Sequence, residues 1–245
     1  MPDPRRGITL TVLGCDGSWT GPGGAGSGYL VRWGPVTVMM DAGPGTFANL
    51  QRFVDPASLD AVILSHHHPD HWTDLHMVAA RARFAQGRSA LPVYAPAGLA
   101  GRSGLSDAVA LDWRVVTDAD RVDIKGVACT LHRTDHARET LGVRLDDGVR
   151  ALGYSADTGP AFPLVRLGSG LDLLLCEATY TVDHEGTAGH MSGRQAGEQA
   201  RQAAARRLVI THRWPTIDPS VLGDEARVAF GGPVDQAAIG KEFVL

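Results

Sequence analysis

The sequence predicts an α/β protein in which two mixed β-sheets pack face to face and are flanked by helices, a four-layer αββα sandwich formed as one domain over residues 1–245. Three observations carry this prediction. Short branched runs such as Ala61-Val62-Ile63-Leu64 are continuously apolar, as strands buried on both faces are. The strands come in groups with helices after only some of them, which calls for two sheets covered from outside. With 245 residues, 44% of them hydrophobic, the chain can bury a full core, and no linker, internal repeat or low-complexity block divides it.

Ile8 to Leu13 reads as the first strand, ended by Gly14 and followed by a glycine-rich loop to Gly24. Strands at Gly28 to Trp33 and Val36 to Asp41 are joined by a Gly34-Pro35 turn. Asp41-Ala42-Gly43-Pro44-Gly45 then opens a helix through Phe47, Leu50 and Phe53. Ala61 to Leu64 is a buried parallel strand that runs out into a loop at Ser65. Thr73 or Asp74 can cap the next helix, which passes through Leu75, Met77, Val78 and Ala79 to about Phe84. Pro92 to Ala95 is another buried strand. Val127 to Arg133, Gly142 to Leu145 and Val149 to Tyr154 form a meander with Asp146-Asp147-Gly148 as its tight turn. Leu171 to Cys176 and Leu208 to Thr211 are further apolar strands, separated by a helix from Ser192 to about Ala205. The glycine run is not a P-loop, because it lacks the Lys-Ser/Thr ending and leads into a strand. Two readings stay open for it, a flexible connection and a lid over a substrate.

Chemistry concentrates where the Ala61 to Leu64 strand ends. His66, His68, Asp70 and His71 form an HxHxDH cluster, four potential metal ligands within six residues. Three imidazoles and a carboxylate crowded so tightly are hard to bury as packing, since each brings polar atoms that a core must satisfy. Metal binding accounts for them, and the pairs His66/His68 and Asp70/His71 project differently enough to serve two ions. Strand ends of open α/β sheets are where such sites form. Further candidates fall in equivalent places: His136 after the Val127 to Arg133 strand, Asp157 after Val149 to Tyr154, and His212 after Leu208 to Thr211. A carboxylate at Asp157 can bridge two cations while histidines fill the outer positions.

Composition narrows the class. The formal net charge of −4, without a Lys/Arg run, disfavours a grip on nucleic-acid backbone but allows a small phosphorylated substrate. Three cysteines, Cys15, Cys129 and Cys176, are odd in number and far apart, so a disulfide framework is not expected and a reducing compartment is. Met1 to Gly7 lacks the apolar core of a signal peptide, and no stretch is apolar for long enough to span a bilayer. The expected setting is cytoplasmic, with no membrane partner.

The motifs together resemble a known family. His66-x-His68-x-Asp70-His71, His136, Ser155-Ala156-Asp157-Thr158, Glu177-Ala178-Thr179, His190-Met191-Ser192 and Thr211-His212 follow one another as in the metallo-β-lactamase superfamily, in the branch of ribonuclease Z and related phosphodiesterases. The resemblance runs from Leu10-Thr11-Val12-Leu13-Gly14 to the closing strands and implies the metallo-β-lactamase fold. It further implies that His66, His68 and His136 hold one divalent ion, that Asp70, His71 and His212 hold another, and that Asp157 bridges them. The expected cofactors are two zinc ions, with manganese or iron also suited to mixed imidazole and carboxylate ligation. A hydroxide held between the ions would attack, Asp70 serving the catalytic centre as a ligand. His190 corresponds to a histidine near the leaving oxygen and Glu177 to the glutamate that orients it, so His190 is the expected general acid. Asp41 matches an aspartate that supports the ligand loops. Taken alone, His190 also reads as a histidine at a helix N-terminus near Ser192.

Substrate class follows from what is short or present. Only 20 residues separate His136 from Asp157, enough for a strand, a turn and a strand but not for the arm with which ribonuclease Z binds transfer RNA. Leu13-Gly14-Cys15-Asp16-Gly17-Ser18, Gly26-Ser27-Gly28-Tyr29-Leu30 and Phe230-Gly231-Gly232-Pro233-Val234 resemble the atypical class II bacterial cyclic-nucleotide phosphodiesterases. The resemblance therefore implies a hydrolase of cyclic nucleotides or similar small phosphodiesters, with no transfer-RNA partner and with a homodimer in keeping with its relatives. His67, Pro69, Trp72 and Trp19 depart from that pattern. The alternative is an ester, lactone or thioester hydrolase on the same metals. A ribonuclease Z-like nuclease and a non-catalytic nucleotide sensor rank lower. His67, His76, His132 and His184 read as structural, and Cys176 as a small buried hydrophobe.

Overall fold

In the computed structural model, which describes residues 7–85, 89–136, 138–187 and 189–245, the chain builds two seven-stranded mixed sheets. The first contains β1 (Ile8–Gly14), β2 (Gly28–Trp33), β3 (Val36–Met40), β4 (Ala61–Ile63), β5 (Leu91–Ala95) and β6 (Leu111–Val115), with β14 (Glu242–Val244) added beside β1. The second runs through β7 (Arg121–Ile124), β8 (Val127–Arg133), β9 (Leu141–Asp146), β10 (Ala151–Tyr154), β11 (Leu173–Glu177), β12 (Leu208–Thr211) and β13 (Val234–Gln236). Each sheet opens as an antiparallel meander and turns parallel: β3, β4, β5 and β6 in the first, β10, β11, β12 and β13 in the second. Parallel strands point their carboxyl ends to one edge, and the ligand-bearing loops leave from there.

Burial explains the continuous apolar runs. In β4 and the residue after it, Ala61 and Ile63 join the core between the sheets with Leu131, Val143, Leu152 and Leu175. Val62 and Leu64 face the opposite way, into a cluster with Leu75 and Val78 of α2 (Leu75–Arg83). Truncating fully buried Leu64 to alanine costs about 2–5 kcal/mol. The second sheet is covered on its outer face by α4 (Gly193–Gln202) and α5 (Pro219–Phe230), where Ala196, Ala200, Leu222 and Ala226 pack with Leu174, Cys176, Leu208 and Ile210. The result is the expected four-layer αββα sandwich.

Several boundaries differ from the sequence reading for local reasons. The strand expected from Val149 begins at Ala151, because the Asp147 carboxylate accepts the Val149 and Arg150 amides at 2.9 and 2.8 Å and holds both in the turn. The helix expected through Phe53 is the single turn α1 (Thr46–Leu50). Asp74 precedes α2 without capping it; its carboxylate accepts the Phe47 amide at 2.8 Å, tying α1 to α2. Ser192 does cap α4, in a capping box with Gln195. β6, β7, α3 (Leu99–Ser103), α5, β13 and β14 escaped the reading. β6 and β7 carry charged, partly exposed residues of the kind that protect sheet edges, which hides their apolar pattern. All three cysteines are free and buried. Among the described residues, no helix is long and apolar enough to cross a membrane.

Candidate metal centre

The loop after β4, the ends of β8, β10, β11 and β12, and the segment before α4 converge on one place. His66 Nε2 lies 3.1 Å from His68 Nδ1 and 3.4 Å from Asp157 Oδ2. His136 Nε2 lies 3.3 Å from the same His68 nitrogen and 3.9 Å from the same Asp157 oxygen. On the other side, Asp70 Oδ2 is 3.5 Å from His71 Nε2 and 3.4 Å from His212 Nε2. These two nitrogens lie 3.2 and 3.3 Å from Asp157 Oδ1. Asp157 thus presents one oxygen to each group. Tetrahedral coordination at Zn–N and Zn–O bond lengths gives ligand-to-ligand edges of about 3.3 Å, which these separations approach except for the longer one between His136 and Asp157.

Two buried atoms test that fit. His71 Nε2 and Asp157 Oδ1 have no hydrogen-bonding partner, although an orphaned buried polar atom is costly. Both point into the second group, where a cation would satisfy them. The donor set of imidazoles and carboxylates suits metal ions.

The outer nitrogens of the imidazoles are held. His71 Nδ1 lies 2.8 Å from Asp41 Oδ2, and the same carboxylate accepts the Tyr154 hydroxyl at 2.8 Å and the Ser65 amide and hydroxyl at 2.7 and 2.8 Å. His212 Nδ1 meets Thr179 Oγ1 at 3.0 Å. His66 Nδ1 meets Ser65 Oγ at 2.9 Å, and His136 Nδ1 donates to the Gly189 carbonyl at 3.1 Å. Such partners fix ring orientation and tautomer. Backbone strain gathers here as well. Ser18, Asp41, Ala156 and His212 are four of the seven non-glycine residues with positive φ among the described residues.

Electrostatics favours the ligating form at His66, His68 and Asp157. Burial, reinforced by His71, pushes His66 down to about 4, and burial with the neighbouring His136 lowers His68. Both therefore stay neutral at pH 7. Burial opposes the charge on Asp157, but His212, His71 and His66 outweigh it and hold the carboxyl well below its usual range. Burial likewise works against a proton on His71, yet Asp157 and Asp41 raise its pKa well above the ordinary value.

Glu177, wholly buried at the end of β11, accepts the Thr158 amide at 2.6 Å, the Thr179 hydroxyl at 2.7 Å and the Met191 amide at 3.2 Å. Its remaining contact is His190 Nδ1 at 2.8 Å. Burial works against the His190 proton, but the Glu177 carboxylate outweighs it and lifts the pKa to about 9. The His190 ring lies 5.1 Å from His136 and 5.4 Å from His212, stacked on the latter. All nine predicted site residues therefore meet in one place.

Sequence reading assigned no role to Ser65, Tyr154 or Thr179, which hold Asp41, His71 and His212. Their signal was adjacency to motif residues. The glycine-rich loop is tied to the centre near its start. The Ser18 amide donates to Asp70 Oδ2 at 2.9 Å and the Gly17 amide to the Arg213 carbonyl at 2.8 Å. A Cβ on Gly17 would lie 2.8 Å from His212 Nδ1, so only glycine allows this approach. His67 belongs to none of the ligand groups; its ring lies beside Gly98, and its carbonyl accepts the Trp72 indole and the Arg102 guanidinium.

Known proteins resemble this chain in sequence and fold. The family described as "Beta-lactamase superfamily domain" matches residues 36–213. An uncharacterized protein of Mycobacterium tuberculosis is 34% identical over 252 residues, covering 96% of this chain and 92% of the relative. The probable metallo-hydrolase YhfI of Bacillus subtilis is 29% identical over 251 residues, covering 95% of this chain and 98% of its own. The crystal structure of YhfI, a metallo-β-lactamase fold protein, superposes with a TM-score of 0.91 at 28% identity over 96% of this chain and 99% of that one. A ribonuclease Z of Methanopyrus kandleri is 27% identical over 266 residues, covering 92% of this chain and 94% of the relative. On the fold, the ligand cluster and these matches, the chain belongs to the metallo-β-lactamase superfamily, in the branch that includes ribonuclease Z.

Proposed function

We propose that the chain is a single-domain, dinuclear metal-dependent phosphodiesterase that hydrolyses small phosphodiesters, cyclic nucleotides among them. The observation that carries this reading is the Glu177–His190 pair, 2.8 Å apart, held beside the carboxylate shared by both ligand groups. His66, His68, His136 and Asp157 would hold one ion, and Asp70, His71, His212 and Asp157 the other. Zinc suits the imidazole-rich first group, while the second, with two carboxylates, suits manganese or iron as well. When bound, the ions supply a water acidic enough to attack at neutral pH and neutralise charge on the phosphoryl oxygens.

The chain's own part is positioning and proton transfer. Asp157 orients one oxygen toward each ligand group, and the Ser18 amide aims Asp70. Glu177 accepts a hydrogen bond from Nδ1–H of His190, which leaves Nε2–H, the imidazolium's other N–H, available to a leaving oxygen. As the P–O bond breaks, that proton passes from Nε2 to the departing alkoxide, a poor leaving group without it. The His136 to Asp157 segment is spent on the β9–β10 hairpin, which supports small substrates over transfer RNA. The net charge of −4 agrees, since transfer-RNA binding draws on basic groups. Three buried free thiols fit a reducing, cytoplasmic setting.

The test is turnover by metal-loaded protein of cyclic AMP, bis(p-nitrophenyl) phosphate, a lactone and a thioester. Hydrolysis of the phosphodiesters is expected. Hydrolysis of the lactone or thioester alone would replace this reading with carbonyl chemistry on the same ligands.

A further inference from the structure

The rim of the centre is aromatic, and the reaction above makes no use of these rings. Trp19 stands on the glycine-rich loop after β1, Tyr180 follows β11, and Trp214 follows β12 two residues beyond His212. Trp214 lies 5.7 Å from Trp19 and 5.8 Å from Tyr180, ring centre to ring centre. His184, on the short turn Val182–His184, lies 6.2 Å from Trp214.

The cluster is registered to the reacting groups. The Trp214 indole donates to Ser18 Oγ at 3.2 Å, and the Ser18 amide donates to Asp70 Oδ2 at 2.9 Å. The Trp214 amide donates to the Thr179 carbonyl at 3.1 Å, and the Tyr180 hydroxyl to the His190 carbonyl at 3.0 Å. One side of the platform is therefore tied to a proposed ligand and the other to the proposed acid. Trp19 nonetheless leaves 46% of its surface exposed. An indole left in water beside a polar centre forgoes hydrophobic stabilisation, and it offers a π-face to a planar group.

We propose that Trp19 and Trp214 form a stacking platform for a planar aromatic substituent of the substrate, a nucleobase in the first instance. The assignment rests on the phosphodiester reading and narrows it to nucleotides. Stacking tolerates any base, so the platform selects for the presence of a base rather than its identity.

The test compares two phosphate monoesters that differ only in the base. Affinities of metal-loaded protein for adenosine 5′-monophosphate and ribose 5-phosphate are measured by calorimetry. Loss of one stacked base weakens binding by roughly ten- to a hundredfold, so the nucleotide is expected to bind tighter by that ratio. Trp19→Ala should bring the ratio close to one, and Trp19→Phe should retain most of it. Equal affinities in the unsubstituted protein, or a ratio unchanged by Trp19→Ala, overturn the platform. An intact ratio without phosphodiester turnover supports the platform and overturns the proposed reaction instead.

Discussion

The two ligand groups share Asp157 but are built differently. The group of His66, His68 and His136 consists of imidazoles, and the outer nitrogens of His66 and His136 rest on neutral acceptors, the Ser65 hydroxyl and the Gly189 carbonyl. The group of Asp70, His71 and His212 adds its own carboxylate, and His71 leans on a second one, buried Asp41. Its His212 is linked through Thr179 to the Glu177 carboxylate. Nearby negative charge favours a cation, and more so where water is excluded. On the dinuclear reading proposed above, the second group is expected to be the stronger cation trap, and the orphaned His71 Nε2 and Asp157 Oδ1 both belong to it.

The largest effect should come from the residue the groups share. Asp157→Ala is expected to bring metal content below one ion per chain and to slow turnover by roughly 10⁴-fold or more. Elemental analysis with steady-state kinetics checks this, and a variant with two ions and near-normal turnover would dissolve the bridging role. His190→Ala separates ligation from chemistry. Both ions should stay bound while turnover falls roughly 100-fold or more. The His190 imidazolium loses its proton as pH rises through about 9, so kcat should decline above that pH and the decline should vanish in the variant. Lost metal, or unchanged turnover, would count against the assignment.

Asp41→Asn probes the asymmetry itself. Asparagine tolerates the positive φ of 55° at this position, so the change removes charge with little backbone cost. Affinity of the second group should fall roughly 10- to 100-fold, with less effect on the first, read by metal-binding calorimetry. Equal losses at both would erase the distinction. A chelator should likewise extract metal in two phases, with the faster phase abolished in His136→Ala; one uniform phase would mean that the groups hold cations alike. At the small end, His76→Ala on the exposed face of α2 should change stability by no more than about 0.5 kcal/mol and leave metal content unchanged.

Much of this was legible in one dimension because its signals are local. The HxHxDH run occupies a single loop, and β4 and β12 announce themselves as apolar runs, and β8 as an alternating one, that end before a ligand. Elements of other kinds were hidden. β6 and β7 mix charged and apolar residues, and α1, although read as a helix, is a single turn too short for a period to mark its end. The supports of the site were hidden for another reason. Tyr154 reaches Asp41 across 113 residues and Thr179 reaches His212 across 33, so no spacing reveals them. The glycine-rich loop was left open between a flexible connection and a substrate lid because glycine is permissive, whereas Gly17 is needed because backbone and imidazole touch there.

The order of residues by itself indicated which side chains are candidate metal ligands, that they fall at or just after strand ends, and that strands such as Ala61–Ile63 are buried on both faces, since these follow from residue chemistry and short-range pattern. Only the tertiary structure decided that Asp157 turns one oxygen to each group, that Asp41 lends its charge to His71, and that Trp19 meets Trp214 over the rim. Those contacts join segments far apart in the chain, and their geometry exists only once the two sheets have packed.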